Sequence, residues 1–123
     1  MTMTLGMVTI DCADPRRLAE FWIDALGMQI SADYGGEYLM LEPPGGGLML
    51  GLQRVPEPRA GKNRVHLDFH VGDRAAEVRR LVARDATTLG EHDMPGLSWT
   101  VLADPEGNEF CIGELTGEAE QTG

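Results

Sequence analysis

An α+β fold made of two tandem strand–helix–three-strand modules is what this sequence predicts, and three observations predict it. Met7–Asp14 (MVTIDCAD) aligns without a gap on His66–Asp73 (HLDFHVGD). Both stretches alternate in character as a strand does, and both end on an aspartate placed to cap a helix. After each aspartate the elements follow in the same order, a helix and then three short strand candidates separated by turns. A repeat of this kind points to duplication.

The first strand, Met7–Cys12, sets Val8, Ile10 and Cys12 on one side and Met7, Thr9 and Asp11 on the other. Asp14-Pro15 opens a helix, with Asp as N-cap and Pro at the first helical position. Leu18, Phe21, Trp22, Ala25 and Leu26 recur at helical spacing and make its buried stripe, so Trp22 is expected in the core. Gly27 stops it. Strands are expected near Met28–Asp33, Glu37–Glu42 and Leu48–Gln53, with Gly35-Gly36 and Pro43–Gly47 as the turns between them. Pro56–Lys62 is a polar connector between the halves.

The second half opens on Arg64–Val71 (RVHLDFHV), a predicted strand with two unlike faces. Val65, Leu67, Phe69 and Val71 form its apolar side. Arg64, His66, Asp68 and His70 share the other, within about 20 Å of strand. Two of the three histidines of the chain fall here, where a plain solvated face would carry Lys, Glu or Thr. Asp73 caps a second helix, with Ala75, Val78, Leu81 and Val82 on its apolar side. Strands near Thr87–Glu91, Ser98–Leu102 and Asn108–Glu114 complete the module, with Asp104-Pro105-Glu106-Gly107 as the last turn. The modules span about residues 5–55 and 63–115 of one domain, residues 1–116, and a loose tail is expected over 117–123.

The totals narrow the function. A chain of 123 residues holds one domain with a real core. Its ten Lys and Arg stand against twenty Asp and Glu, a net charge of -10. The pI is near 4.6, the opposite of a nucleic-acid footprint, and the charge would favour a cationic ligand. No apolar run approaches the roughly 20 residues that span a membrane, and a cytoplasmic protein is expected. The two cysteines, Cys12 and Cys111, face opposite ways on separate strands, so no disulfide is expected.

Three stretches, VTIDCADPRRLAEFW, KNRVHLDFHVGD and WTVLADPEGNEFCIG, together with the strand order, resemble the vicinal-oxygen-chelate superfamily over nearly the whole chain. That superfamily holds glyoxalase I, fosfomycin-resistance enzymes, extradiol dioxygenases and bleomycin-resistance proteins. The chain looks most like its glyoxalase-like members, which carry Lys-Asn-Arg before the second-half strand, here Lys62-Asn63-Arg64. The resemblance implies two βαβββ modules whose curled mixed sheets enclose a cavity. It implies no single reaction, because one fold hosts many.

Carried over residue by residue, the family's metal-ligand positions fall on Met7, Gly51, His66 and Cys111. Only His66 and Cys111 are able to coordinate an ion there, whereas a catalytic zinc normally keeps three protein ligands. No metal or other cofactor is therefore expected, and any metal would use His66 and Cys111. The inward-facing set is otherwise polar: Thr9, Asp11, Arg64, His66, Asp68 and His70, with Glu109 and Cys111 added by alternation. Trp99 shares the parity of the cavity-facing positions. A Trp among carboxylates and histidines suits a flat or cationic ligand.

The expected function is thus metal-independent binding of a small, aromatic or cationic molecule by Asp11, Arg64, His66, Asp68, His70, Trp99, Glu109 and Cys111. The alternative is a lyase or isomerase acting on a small oxygenated metabolite, with His66 as base, a divalent metal, and Asp68 and Asp11 as further catalytic candidates. A Cys111 thiolate nucleophile is the lesser reading, since no third group is recognisable to orient it. Family members commonly pair, and a homodimer is expected because isolated curled modules leave sheet edges open.

Overall fold

The computed structural model describes residues 5–58, 60–61 and 65–116. Arg64, the Lys62-Asn63 pair before it and the 117–123 tail lie outside the described residues. The chain divides into two compact units, Met1–Ala60 and Gly61–Gly123. Among the described residues, each has one helix and a four-stranded mixed sheet.

In the first unit the elements are β1 (Met7–Cys12), α1 (Pro15–Leu26), β2 (Gln29–Asp33), β3 (Tyr38–Glu42) and β4 (Met49–Arg54). The sheet order is β1-β4-β3-β2, with β1 parallel to β4 and the other neighbours antiparallel. Helix α1 begins where the Asp14 carboxylate accepts from the backbone N–H of Arg17, and it ends on Gly27, which turns left-handed at φ 67°. Its stripe Leu18, Phe21 and Trp22 is buried against β3 and β4, which supply Leu39, Leu41, Leu50 and Leu52. Burying each such leucine is worth about 1.5–3 kcal/mol, so this layer supplies much of the stability of the unit.

The second unit runs β5 (Leu67–His70), α2 (Arg74–Val82), β6 (Thr87–Met94), β7 (Leu97–Ala103) and β8 (Glu109–Leu115), in sheet order β5-β8-β7-β6. The Asp73 carboxylate caps α2 through the N–H of Ala76. Phe110, Ile112, Leu102 and Leu81 form the core, and Phe69 meets Phe110 edge-on at 6.0 Å. In the predicted turn, the buried Asp104 carboxylate accepts from the N–H groups of Glu106 and Asn108 and from the Asn108 side chain, which satisfies its charge.

Two strands differ from expectation. β5 starts at Leu67 and not at Arg64, because it pairs with β8 and that ladder begins with Leu67 opposite Phe110. β6 runs three residues further than predicted, to Met94, since its pairing with β7 continues to a two-residue turn at Pro95-Gly96. Gly96 adopts φ 88°, which suits glycine at that corner.

Each helix is also tied to its sheet by an arginine in its first turn. Arg16 donates to both carboxylate oxygens of Asp33, at 2.9 and 3.3 Å, in a largely exposed pair. Arg74 is far less exposed and spans three strands. Its Nη1 donates to Thr100 Oγ1 at 2.7 Å and to Glu91 at 3.2 Å, and its Nε lies 3.4 Å from Glu114. Among the described residues, no helix is long and apolar enough to cross a membrane.

Candidate functional site

In both units the leucine-rich or phenylalanine-rich face of the sheet packs on the helix, and the opposite face carries the candidate site residues of the strands. On β5 of the second unit, alternation turns Asp68 and His70 away from the helix side, as predicted. Register then assembles a row across all four strands. His70 pairs with Gly113, Gly113 with Trp99, and Trp99 with His92. The His92 and Trp99 rings stack, 5.2 Å between centroids and 23° between planes. A side chain added at Gly113 would contact Leu97, His70 and Trp99 at 3.5–3.8 Å, so these three close over the glycine. Trp99 is half-buried, and register puts it on the helix-free face, since its neighbour Thr100 is held by Arg74 of the helix; Trp22 is a core residue at 1% exposure.

The neighbouring row holds Asp68 opposite Cys111 and Cys111 opposite Val101. Cys111 is buried. Burial pushes its thiol pKa up, and the charge and hydrogen bond of the Asp68 carboxylate push it further, with Glu109 adding to the effect. A protonated thiol beside a carboxylate is a hydrogen-bond donor. It is neither an activated nucleophile nor a ready metal ligand. Neither Cys12 nor Cys111 forms a disulfide.

The predicted residues divide accordingly. His70, Trp99, Asp68 and Cys111 come together on one face, and Glu109 sits half-buried two residues before Cys111 on β8. His66 precedes β5 and is outside the ladder, because pairing with β8 starts one residue later. Arg64 lies outside the described residues. Asp11 belongs to the first unit, where it is exposed on β1 opposite Gln53.

Gly51 pairs with Thr9, and a Cβ built on it would lie 2.6 Å from the Tyr38 hydroxyl and 2.8 Å from the Thr9 hydroxyl. Those hydroxyls lie 3.3 Å apart in a hydrogen bond, and Tyr38 donates to Met7 Sδ at 3.6 Å. The space that a ligating side chain at position 51 would need is taken by Tyr38 and Thr9. Among the described residues, no group of three or more His, Cys, Asp or Glu is placed to hold a metal ion.

Sequence reasoning missed His92, Tyr34 and Tyr38. Tyr38 was legible from alternation, since Tyr38 and Met40 oppose Leu39 and Leu41. His92 was not, because a register shift between Thr88 and Gly90 breaks the alternation of β6 before reaching it.

Solved structures similar to this chain share its fold. One is a glyoxalase/bleomycin resistance protein/dioxygenase family enzyme from Burkholderia phytofirmans PsJN, 20% identical, covering 93% of this chain and 100% of its own, with a TM-score of 0.77. A lactoylglutathione lyase from Agrobacterium tumefaciens is 22% identical over 96% of each chain, with a TM-score of 0.68. TnmS3, an antibiotic binding protein from Streptomyces sp. CB03234, is 20% identical, covering 94% of this chain and 98% of its own, with a TM-score of 0.69. No curated protein matches the chain. The glyoxalase-like domain family model matches residues 7–113, nearly the whole of both repeats. The chain belongs to the glyoxalase-like domain family.

Proposed function

We propose that this protein binds a small planar aromatic cation on the helix-free face of its second sheet, and does so without a metal ion. The observation that carries this reading is the stacked His92–Trp99 pair in one row with His70 over Gly113. Two aligned rings offer a ready stacking surface, and stacking and cation–π contact suit a flat, positively charged group. Asp68 and Glu109 on the same face, and the net charge of -10, favour a cation over an anion. The weak donor set at the family's metal positions supports metal independence. An antibiotic binding protein of the same fold is in keeping with a binding role.

Equilibrium dialysis of the full chain against ethidium, an aliphatic cation and anilinonaphthalene sulfonate, with and without a chelator, tests this. Ethidium is expected to be retained over the other two, with no effect of chelator. Retention that needs added Mn²⁺, Zn²⁺, Ni²⁺ or Fe²⁺ would overturn the metal-free part. Equal retention of all three probes would overturn the ligand class.

A homodimer is part of the same proposal. The edge strands β2 and β6 expose Ile30, Leu89 and Met94, apolar surface that a second copy would cover. Sedimentation giving a clean monomer at micromolar concentration would contradict it.

A further inference from the structure

The first turn of each helix meets its sheet differently, and the difference leaves a hollow in the first unit. Pro15 and Arg74 are matching residues, each the first of its helix after the capping aspartate. In the second unit Arg74 reaches over the helix-side end of the sheet and sets its guanidinium beside Glu91 and Glu114. By register, the matching strand positions in the first unit are Asp33 and Arg54. Arg16 does at Asp33 what Arg74 does at Glu91. Among the described residues no side chain does the same at Arg54, which Pro15 is too short to reach. A hollow of about 380 Å³ stands there, lined by Ala13, Glu37, Arg54, Val55 and Pro56. That volume lies within the range of small-molecule sites. Arg54 alternates with Gln53 and Glu37 with Tyr38, so the hollow is on the helix side of the sheet.

We infer that this hollow binds a small apolar α-amino acid, with its carboxylate on the Arg54 guanidinium and its ammonium on the Glu37 carboxylate. The two residues are neighbours across the sheet, where the Arg54 N–H donates to the Glu37 carbonyl at 2.8 Å. Their side chains line the same hollow, yet they form no ion pair with each other or, among the described residues, with any other group. Opposite charges that share a hollow without meeting fit a ligand that carries both. A guanidinium takes a carboxylate through two parallel N–H bonds, a geometry that a lone ammonium on the protein does not offer. Ala13, Val55 and Pro56 make the rest of the wall apolar, which suits a short hydrocarbon side chain. Glu37 and Arg54 are exposed, so solvent screens both pairs and the affinity falls in about the millimolar range. The inference uses neither the residues nor the sheet face of the aromatic site in the second unit.

The test is a titration of the isotope-labelled full chain, followed in a two-dimensional proton–nitrogen spectrum, with L-valine, isobutylamine and isovalerate. The last two are valine without its carboxylate and valine without its ammonium. The backbone N–H peaks of Glu37, Arg54 and Val55 are expected to move saturably with L-valine, and each single-charge analogue should bind at least about fivefold more weakly. Arg54→Met and Glu37→Gln should each weaken L-valine binding by about five- to tenfold, and more at low salt than at high. Both positions are exposed, so the variants should fold, which a melting curve checks. Absence of a saturable shift at the three peaks in the wild type would overturn the site. Isobutylamine or isovalerate binding as tightly as L-valine would overturn the ligand class. L-valine binding that either variant leaves unchanged would overturn the assigned contacts and, with them, the inference.

Discussion

The two units share one scaffold and differ in what they mount on it. Matching positions carry Asp11, Gln53 and Tyr38 on the strands and Tyr34 in the β2–β3 turn of the first, and His70, Gly113, Trp99 and His92 in the second. One row lower, Gly51 with Thr9 in the first corresponds to Cys111 with Asp68 in the second. The helix-side faces are mainly apolar in both, since that face makes the core, and the second adds Thr100, Glu91 and Glu114 gathered by Arg74. What diverges is the face that the core does not constrain. The difference teaches that the two units share the frame and each carry a stacked ring pair, while the positions beside the pair differ in polarity and size.

The arginine ties give the largest expected contrast. Removing Arg74 leaves Thr100 Oγ1 buried without its donor and Glu91 and Glu114 without their shared cation. Arg74→Ala should destabilise the protein by about 1–3 kcal/mol in urea unfolding. Arg16→Ala breaks an exposed pair, and the unfolding midpoint should scarcely move near neutral pH. Equal losses would break the contrast.

Glycine substitution separates the rows next. Gly51→Ala forces its Cβ into the Tyr38 and Thr9 hydroxyls and should cost about 1–2 kcal/mol, relieved in part by Tyr38→Phe in the same chain. A Cβ at Gly113 meets only ordinary contacts, so Gly113→Ala should stay within roughly 1 kcal/mol of wild type.

Thiol chemistry follows. With its pKa raised by burial and by Asp68, Cys111 should alkylate more slowly at about pH 8 than a model thiol, and Asp68→Asn should speed it a few-fold. Alkylation of Cys111 at the rate of a free thiol in the folded protein would contradict the assigned environment.

The smallest effect is pH dependence in the first unit. The Asp33 carboxyl is held below its usual range, first by its hydrogen bond from Arg16 and then by the N–H of Gly36. A lowered folded-state pKa means that the unfolded chain binds the proton first as pH falls. The contribution of this pair is complete above the ordinary carboxylate pKa of about 4, and it is lost as pH drops through the lower folded value. Arg16→Met should therefore flatten the acid limb of the stability curve by lowering the neutral plateau slightly, and leave stability at pH values where Asp33 is protonated unchanged. An unchanged acid limb would show that Asp33 does not contribute to it.

Much of the fold is legible in the chain itself. Asp14 and Asp73 announce both helices because a cap is a local chemical event, and the Leu18–Phe21–Trp22 spacing announces the buried stripe. The faces of β5 and β8 follow from alternation, which places Asp68, His70 and Cys111 together and gives Trp99 its parity. The partners of these residues are not legible, because register is set by pairing across the sheet and not along the chain. Hence His92 and the Tyr34–Tyr38 pair emerge only with the ladders. His66 loses its strand position for the same reason, since the β5–β8 ladder starts one residue after it. Gly51 reads from sequence as a missing ligand, and only the position of the Tyr38 hydroxyl shows why it is a glycine.

The most direct test of the central claim uses the two tryptophans of the chain, one in the first core and one in the second row. In a two-dimensional proton–nitrogen spectrum each indole N–H gives its own peak, assigned with Trp99→Leu. On titration with ethidium the Trp99 peak should shift saturably while the Trp22 peak stays in place. A Trp99 peak that does not move at saturating ethidium, or a shift confined to Trp22, would contradict binding at the His70–Trp99–His92 row.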